Sequence, residues 1–248
     1  FGVKRSIYVV GAEQTLHFKQ VFATLKRMGY QQAEQCFHLP YGLVMLPDGK
    51  MSSREGNVIL FSKLRKEIVE NIKSTHLQEH RKDWSRKELD ETSQKIAVAA
   101  IKYGMLNQDS NKNIVFSMED WLVSEGDTGT YMVYAYVRIR SIGRKISRKV
   151  SHEIDFTLLT HPHEKKLLRQ MLDFNKTVFN AGEQFRPSLL ARMLYEFSKD
   201  FSRAYNTCPV MRAETDKLQA ARLLLFHCVA ETLQQGFNLL GITPPERM

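Results

Sequence analysis

Ten consecutive residues, Asp48-Gly49-Lys50-Met51-Ser52-Ser53-Arg54-Glu55-Gly56-Asn57, set two cations, two hydroxyls and two glycines side by side. Glycine lets a backbone bend sharply and come close to a ligand. Lys50 is a mobile point charge and Arg54 a planar fork, and both suit polyphosphate oxygens. Ser52 and Ser53 can donate to the same oxygens. Apolar runs flank the stretch, Leu43-Val44-Met45-Leu46 before it and Val58-Ile59-Leu60 after it. It therefore reads as a phosphate-gripping loop between strand-like segments. By residue type alone, a solvated surface turn is the commoner explanation.

A second group of polar side chains lies upstream, in Gly11-Ala12-Glu13-Gln14-Thr15-Leu16-His17-Phe18. Ligands of open α/β sheets bind at the carboxyl ends of strands. Gly11 would admit a ligand to the backbone there. Gln14 and His17 lie three apart at a helix start and share a face. Polar residues facing water at a helix start are the competing reading, and residue type alone favours it.

A third group spans residues 131–149. Tyr131, Tyr134 and Arg138 fall at i, i+3 and i+7 of a helix. Arg138, Arg140, Arg144, Lys145, Arg148 and Lys149 place six cations in twelve residues with no acid between them. Rings offer platforms for bases and cations track phosphates. An amphipathic helix with a solvated basic face and structural tyrosines fits the same residues equally well.

The elements that must position these groups divide the chain. Ser6-Ile7-Tyr8-Val9-Val10-Gly11 is a buried parallel strand by pattern. Residues 14–28 show helical periodicity, with Leu16, Val21, Leu25 and Met28 as the buried side and Gly29 as the stop. Cys36-Phe37-His38-Leu39 follows as a second strand, which completes an α/β unit. Residues 61–72 are amphipathic, with Leu64, Ile68 and Ile72 on one face. Residues 75–87 are polar apart from Leu77 and Trp84 and read as the joint between domains.

From residue 88 the pattern is helical almost throughout. Ile96, Ala99, Ala100 and Tyr103 form one stripe, and Ile139, Ile142, Ile146 and Val150 another. Further helices fall near 162–181, 187–206 and 214–236, the last with Leu218, Ala221, Leu225, Cys228 and Thr232 on one face. The second half is a helix bundle.

Composition narrows the partners. The 248 residues carry a net charge of +9, which favours a polyanion, with nucleic acid the first candidate. Cys36, Cys208 and Cys228 have no CxxC spacing, which argues against a disulfide framework or zinc site and for a reducing compartment. No apolar run approaches the roughly 20 residues of a membrane span.

The three groups together resemble one family. Residues 48–57 resemble the KMSKS signature of class I aminoacyl-tRNA synthetases, in the form used by arginyl-tRNA synthetases. The 11–18 stretch is similar to the VGxxQxxHF segment of those enzymes. GDTGTYMVYAYVRIRSI, residues 126–142, is similar to the segment that opens their DALR anticodon-binding domain. The ending Leu239-Leu240-Gly241-Ile242-Thr243-Pro244 with Arg247-Met248 also looks like theirs. Two departures stand out. Ser53 occupies the position where the general KMSKS pattern has lysine, followed by Arg54, and no HxGH sequence occurs in the chain.

The resemblance implies an α/β fold, the C-terminal half of a Rossmann-like class I catalytic domain, followed by an all-α bundle. The expected division is 1–80 for the catalytic part, 81–130 for a helical connection and 131–248 for the bundle. The implied activity is ATP-dependent activation of arginine and its transfer to the 3′ end of tRNA(Arg). Lys50, Ser52, Ser53 and Arg54 would be catalytic. Gly11, Gln14, His17, Gly49 and Met51 would hold arginine and ATP. Tyr131, Tyr134, Arg138, Tyr205 and Met248 would take the anticodon. Arg140, Arg144, Lys145 and Arg148 would meet tRNA phosphates. Magnesium is expected with ATP, with no metal site or prosthetic group in the chain, no membrane partner, a cytoplasmic setting and a monomer. The start at Phe1 and the missing HxGH read as a fragment that is inactive alone. The alternative is a non-catalytic RNA-binding module that keeps a decayed synthetase half. The retained Lys50, Ser52, Gly11, Gln14 and His17 argue against decay.

Overall fold

The computed structural model describes residues 3–46, 49–50, 60–123, 125–146 and 154–248. Internal contacts divide the chain into two units, Phe1–Val58 with Gln108–Ser117, and Ile59–Asn107 with Met118–Met248.

The first unit is the α/β part. Strand β1 (Ser6–Gly11) pairs in parallel with β2 (Cys36–Tyr41), and Gly11 lies opposite Tyr41 at the carboxyl end. Helix α1 (Thr15–Arg27) makes the crossover, and Gly29, at φ 86°, ends it. The inward side of α1 differs from the sequence reading at its ends, while Val21 and Leu25 are half-buried as expected. Leu16 and Met28 are 66% and 65% exposed. The helix instead turns Phe18 and Phe22 inward, with ring centroids 5.4 and 5.5 Å from Tyr8. Two rings at i and i+4 cover more apolar surface than a leucine and a methionine at the helix ends. Strand β3 (Val44–Leu46) pairs antiparallel with β4 (Gly49–Lys50) and in parallel with β5 (Ile114–Val115). The two-residue β5 is too short to show periodicity in sequence. Its approach is fixed at Gly42, where a Cβ would run into the Lys112 carbonyl, and by Leu43 N–H donating to Asn113 Oδ1 at 2.8 Å.

The second unit is a helix bundle. Helix α2 (Phe61–Thr75) buries Ile68 and Ile72 as its pattern requires. The polar stretch 75–87 is packed within this unit and is not a joint between the two. Leu77 is fully buried and Trp84 nearly so, because those two apolar side chains anchor an otherwise polar turn. Then follow α3 (Arg86–Leu106), α4 (Met118–Leu122), α5 (Gly129–Lys145), α6 (Pro162–Glu183), α7 (Pro187–Thr207) and α8 (Asp216–Leu239). Helix α5 packs against α3, α7 and α8 and buries Ile139 and Ile142; Val150 lies outside the described residues. On α8 the buried face runs through Ala221, Leu225, Val229 and Leu233, whereas Cys228 is exposed. The fully buried Phe226 and Phe237 draw that face round by a few tens of degrees. Glu164 is buried, caps α6 through the His161 backbone N–H and accepts from Arg222 Nε at 2.6 Å. Asp200 is likewise buried and accepts from Lys166 at 2.9 Å, Arg203 at 3.0 Å and Gln170 at 3.0 Å.

Candidate functional site

The start of α5 is fixed before any functional side chain appears. Gly126 takes φ 78°. Thr128 caps the helix, accepting from Tyr131 N–H at 3.1 Å while its hydroxyl donates to the Val123 carbonyl at 2.8 Å. At Gly129 a Cβ would meet the Ala99 carbonyl of α3, so only glycine lets the two helices approach this closely. The buried Tyr103 hydroxyl donates to Asp127. Burial first, and that hydrogen bond second, push its pKa above the ordinary 10.0, so it stays a neutral donor. This GDTG turn sets the rotation of α5 and hence the direction of its tyrosines.

Those tyrosines open onto a groove of about 660 Å³, lined in part by His76, His80, Tyr131, Tyr134, Arg138 and Met248. The Arg138 guanidinium lies 4.6 Å from the Tyr134 ring centroid and 5.0 Å from that of Tyr205 on α7. It also donates to the Tyr134 hydroxyl at 2.9 Å. Tyr131 donates to Ser202 Oγ at 3.0 Å and meets Tyr195 edge-on at 5.8 Å. Tyr134 is 38% exposed. Tyr131, Tyr134 and Arg138, which share a face by spacing, are thus brought together with Tyr205 and Met248, which only the resemblance had added to them. The partly exposed Tyr134 ring can stack on a planar polar ring, and the hydroxyl and imidazole groups beside it can hydrogen-bond to that ring's edge.

The chain end reaches this groove through contacts that the sequence did not reveal. Arg247 donates from Nε to Glu88 at 2.8 Å and lies 4.7 Å over the Trp84 ring. Trp84 in turn stacks on His80, with centroids 4.5 Å apart and planes 7° apart. Arg144 donates to the Glu246 carbonyl at 2.8 Å, and Arg140 lies 3.8 Å from both Glu246 and Glu231. Arg140 and Arg144 are therefore engaged with α8 and the chain end, and neither lines the tyrosine groove. Lys145 lines a separate cleft, and Arg148 lies outside the described residues. Trp84 was the available signal: a lone tryptophan in a polar stretch requires a packing partner.

In the first unit, Gly11 is buried at the end of β1, and the Glu13 carboxylate fills the space where a Cβ would stand. Gln14 is the N-cap of α1, exposed and without a side-chain capping bond. His17 is exposed and edge-on to Phe18 at 5.8 Å. His38, which the sequence did not mark, stacks on Phe18 at 4.7 Å and contacts the Val10 carbonyl at 3.1 Å. Gly49 and Lys50 form β4, while Met51, Ser52, Ser53 and Arg54 lie outside the described residues. Among the described residues no group of three or more His, Cys, Asp or Glu side chains could hold a metal ion, and no helix is long and apolar enough to cross a membrane.

Comparison with known proteins draws the line later in the chain than the contacts do, so that residues 59–107 of the helical unit fall to the catalytic family. Residues 2–118 match the family described as tRNA synthetases class I (R), catalytic domain, and residues 132–248 match the DALR anticodon binding domain. The arginine–tRNA ligase of Bdellovibrio bacteriovorus is 40% identical over 246 residues, and that of Clostridium kluyveri 37% over 247. These alignments cover 99% and 98% of this chain but only 42% and 43% of the relatives, so the chain spans about two fifths of their length. Among solved structures, the arginyl-tRNA synthetase of Thermus thermophilus superposes with a TM-score of 0.88 at 30% identity, over 99% of this chain and 41% of that one. The enzyme of Plasmodium falciparum superposes at 0.83 and 27% identity, with the same coverage. An α/β unit followed by a helix bundle, with both parts matched in this order, makes the chain a member of the arginyl-tRNA synthetase family.

Proposed function

We propose that this chain supplies the KMSKS-type loop and the anticodon-binding bundle of an arginine–tRNA ligase. In that reaction the arginine carboxylate attacks the α-phosphate of ATP in line. The bond to pyrophosphate breaks, and arginyl-adenylate forms. The terminal hydroxyl of tRNA then attacks the carbonyl, and AMP leaves. The protein's task is positioning and charge stabilisation. Lys50 holds pyrophosphate oxygens as the bond breaks, and Ser52, Ser53 and Arg54 order the loop around them. Gly11, Gln14 and His17, at the carboxyl end of β1, form part of the pocket for arginine and adenosine. Magnesium would arrive with ATP rather than on side chains of this chain, whose loop offers cations. No HxGH sequence, the ATP-gripping motif of the family, occurs in the 248 residues. The chain alone is therefore expected to be inactive in arginine-dependent ATP–pyrophosphate exchange.

The observation that carries the RNA half of this reading is the convergence of Tyr131, Tyr134, Arg138, Tyr205 and Met248. A splayed anticodon base stacks on such a platform, at about 1–3 kcal/mol per base. Fluorescence anisotropy with tRNA(Arg) and an anticodon variant tests it. Tyr134→Ala should cut the discrimination between the two by roughly five- to a hundredfold and leave the salt dependence nearly unchanged. Unchanged discrimination would make Tyr134 a packing residue and remove the anticodon assignment.

A further inference from the structure

Helix α6 carries a surface stripe apart from the tyrosine groove. A helix turns about 100° per residue, so Lys165, Arg169, Leu172, Lys176, Phe179 and Glu183 fall within about 40° of one line along it. All six are exposed. The opposite side buries Leu167, Phe174 and Ala181, and the helix packs on α7 and α8. Leu172 is 83% exposed, more than any other large apolar side chain among the described residues, and Phe179 is 66% exposed. Among the described helices α6 alone carries two exposed large apolar side chains. Single exposed apolar residues are ordinary, whereas two placed seven apart on one helix line have the spacing of a helix–helix seam.

The order of side chains along this stripe is self-complementary. Leu172 and Phe179 lie to one side of the line, Arg169 and Lys176 to the other, with the exposed Asp173 beyond them. Lys165 and Glu183 stand on the line at its two ends. Two antiparallel copies related by a two-fold axis level with residue 174 bring like sides of the stripe together. Leu172 of each copy then lies between Leu172 and Phe179 of the other. On the far side Lys176 of each copy stands beside Asp173 of the other, and at the ends Lys165 stands level with Glu183. A parallel pair would instead set Lys165, Arg169 and Lys176 each against itself. The net charge of +9 opposes association, but its reach falls to about 8 Å at physiological salt.

We propose that α6 is a self-association surface, on which a second copy of this chain docks as an antiparallel two-fold partner. Leu172 and Phe179 of both copies form its apolar seam, and the Lys165–Glu183 and Lys176–Asp173 pairs fix its direction. One helix pair lies at the low end of interface sizes, so the dimer is weak and concentration-dependent. No α6 residue lines the tyrosine groove, and the proposal does not depend on the RNA reading of that groove.

Sedimentation equilibrium of the chain over about 5–500 µM, at about 0.15 M salt, tests it. The average mass should rise with concentration from one chain toward two. Leu172→Ser should raise the dimer dissociation constant at least about tenfold, because it removes an apolar side chain of each copy from the centre of the seam. Glu183→Lys should raise it several-fold by setting like charges at both ends. Adding Lys165→Glu to that variant exchanges the two charges and should return the constant to near its starting value. Leu172, Lys165 and Glu183 are exposed, so these variants keep the fold, which circular dichroism checks. A one-chain mass at every concentration, the state implied by the family resemblance, overturns the proposal. So does a dimer that Leu172→Ser leaves unchanged, or one that the charge exchange fails to restore. A loss of tRNA(Arg) affinity on Leu172→Ser with no change in mass would assign the face to RNA and likewise overturns it.

Discussion

Arg138 and Lys50 show how much a single residue discloses about itself. Spacing alone put Arg138 on the face of Tyr131 and Tyr134, and the structure seats its guanidinium on the Tyr134 ring. The link to Tyr205, 67 positions later, has no local signature; only the resemblance supplied it. Arg140 and Arg144 show the converse. A run of cations reads as one basic face, but successive helical positions point about 100° apart. Arg138 therefore serves the tyrosine groove while Arg140 and Arg144 turn toward Glu231 and Glu246. Lys50 gives a sharper kinetic test. In the complete enzyme, Lys50→Ala should lower kcat a hundredfold or more, about 3 kcal/mol by analogy with oxyanion-hole donors, with a smaller rise in KM for ATP. A contact formed mainly in the transition state shows in kcat. An effect confined to KM would place Lys50 in ground-state binding instead.

Among elements, the long helices were legible because each buries a stripe at helical spacing, as α3 does with Ile96, Ala99, Ala100 and Tyr103. Short elements were not. The strand β5 is two residues long and is defined by pairing with β3, a tertiary fact. The chain end was legible only as a family ending. Its structure is a strap: Glu246 is held by Arg140 and Arg144, Arg247 by Glu88 and Trp84, and Met248 lies in the groove. Two substitutions should therefore behave differently from a phosphate contact. Arg247→Ala frees the last residue and should reduce anticodon discrimination several-fold with little change in salt slope. Arg144→Ala should do the same to a lesser degree. Both are read by anisotropy over a salt series. A slope flattened by about one unit on Arg144→Ala would mean that it meets a phosphate directly.

For the whole molecule, charge and pattern separated an α/β part from a helical part, and both are present. The line between them was less legible. Polarity placed it at residues 75–87, whereas contacts place it at 58/59 and return 108–117 to the first unit, because Leu77 and Trp84 are buried within the second. A net charge of +9 favours a polyanion of any sequence and by itself specifies nothing. In the proposed reading, specificity comes from the groove. The most direct measurement is competition, at fixed salt, between tRNA(Arg) and the same tRNA with only its anticodon bases replaced, for the unsubstituted chain. The expected result is at least roughly fivefold tighter binding of the unaltered tRNA, about what the loss of one base-edge hydrogen bond costs. Equal affinities would contradict it, leaving the bundle a nonspecific basic surface.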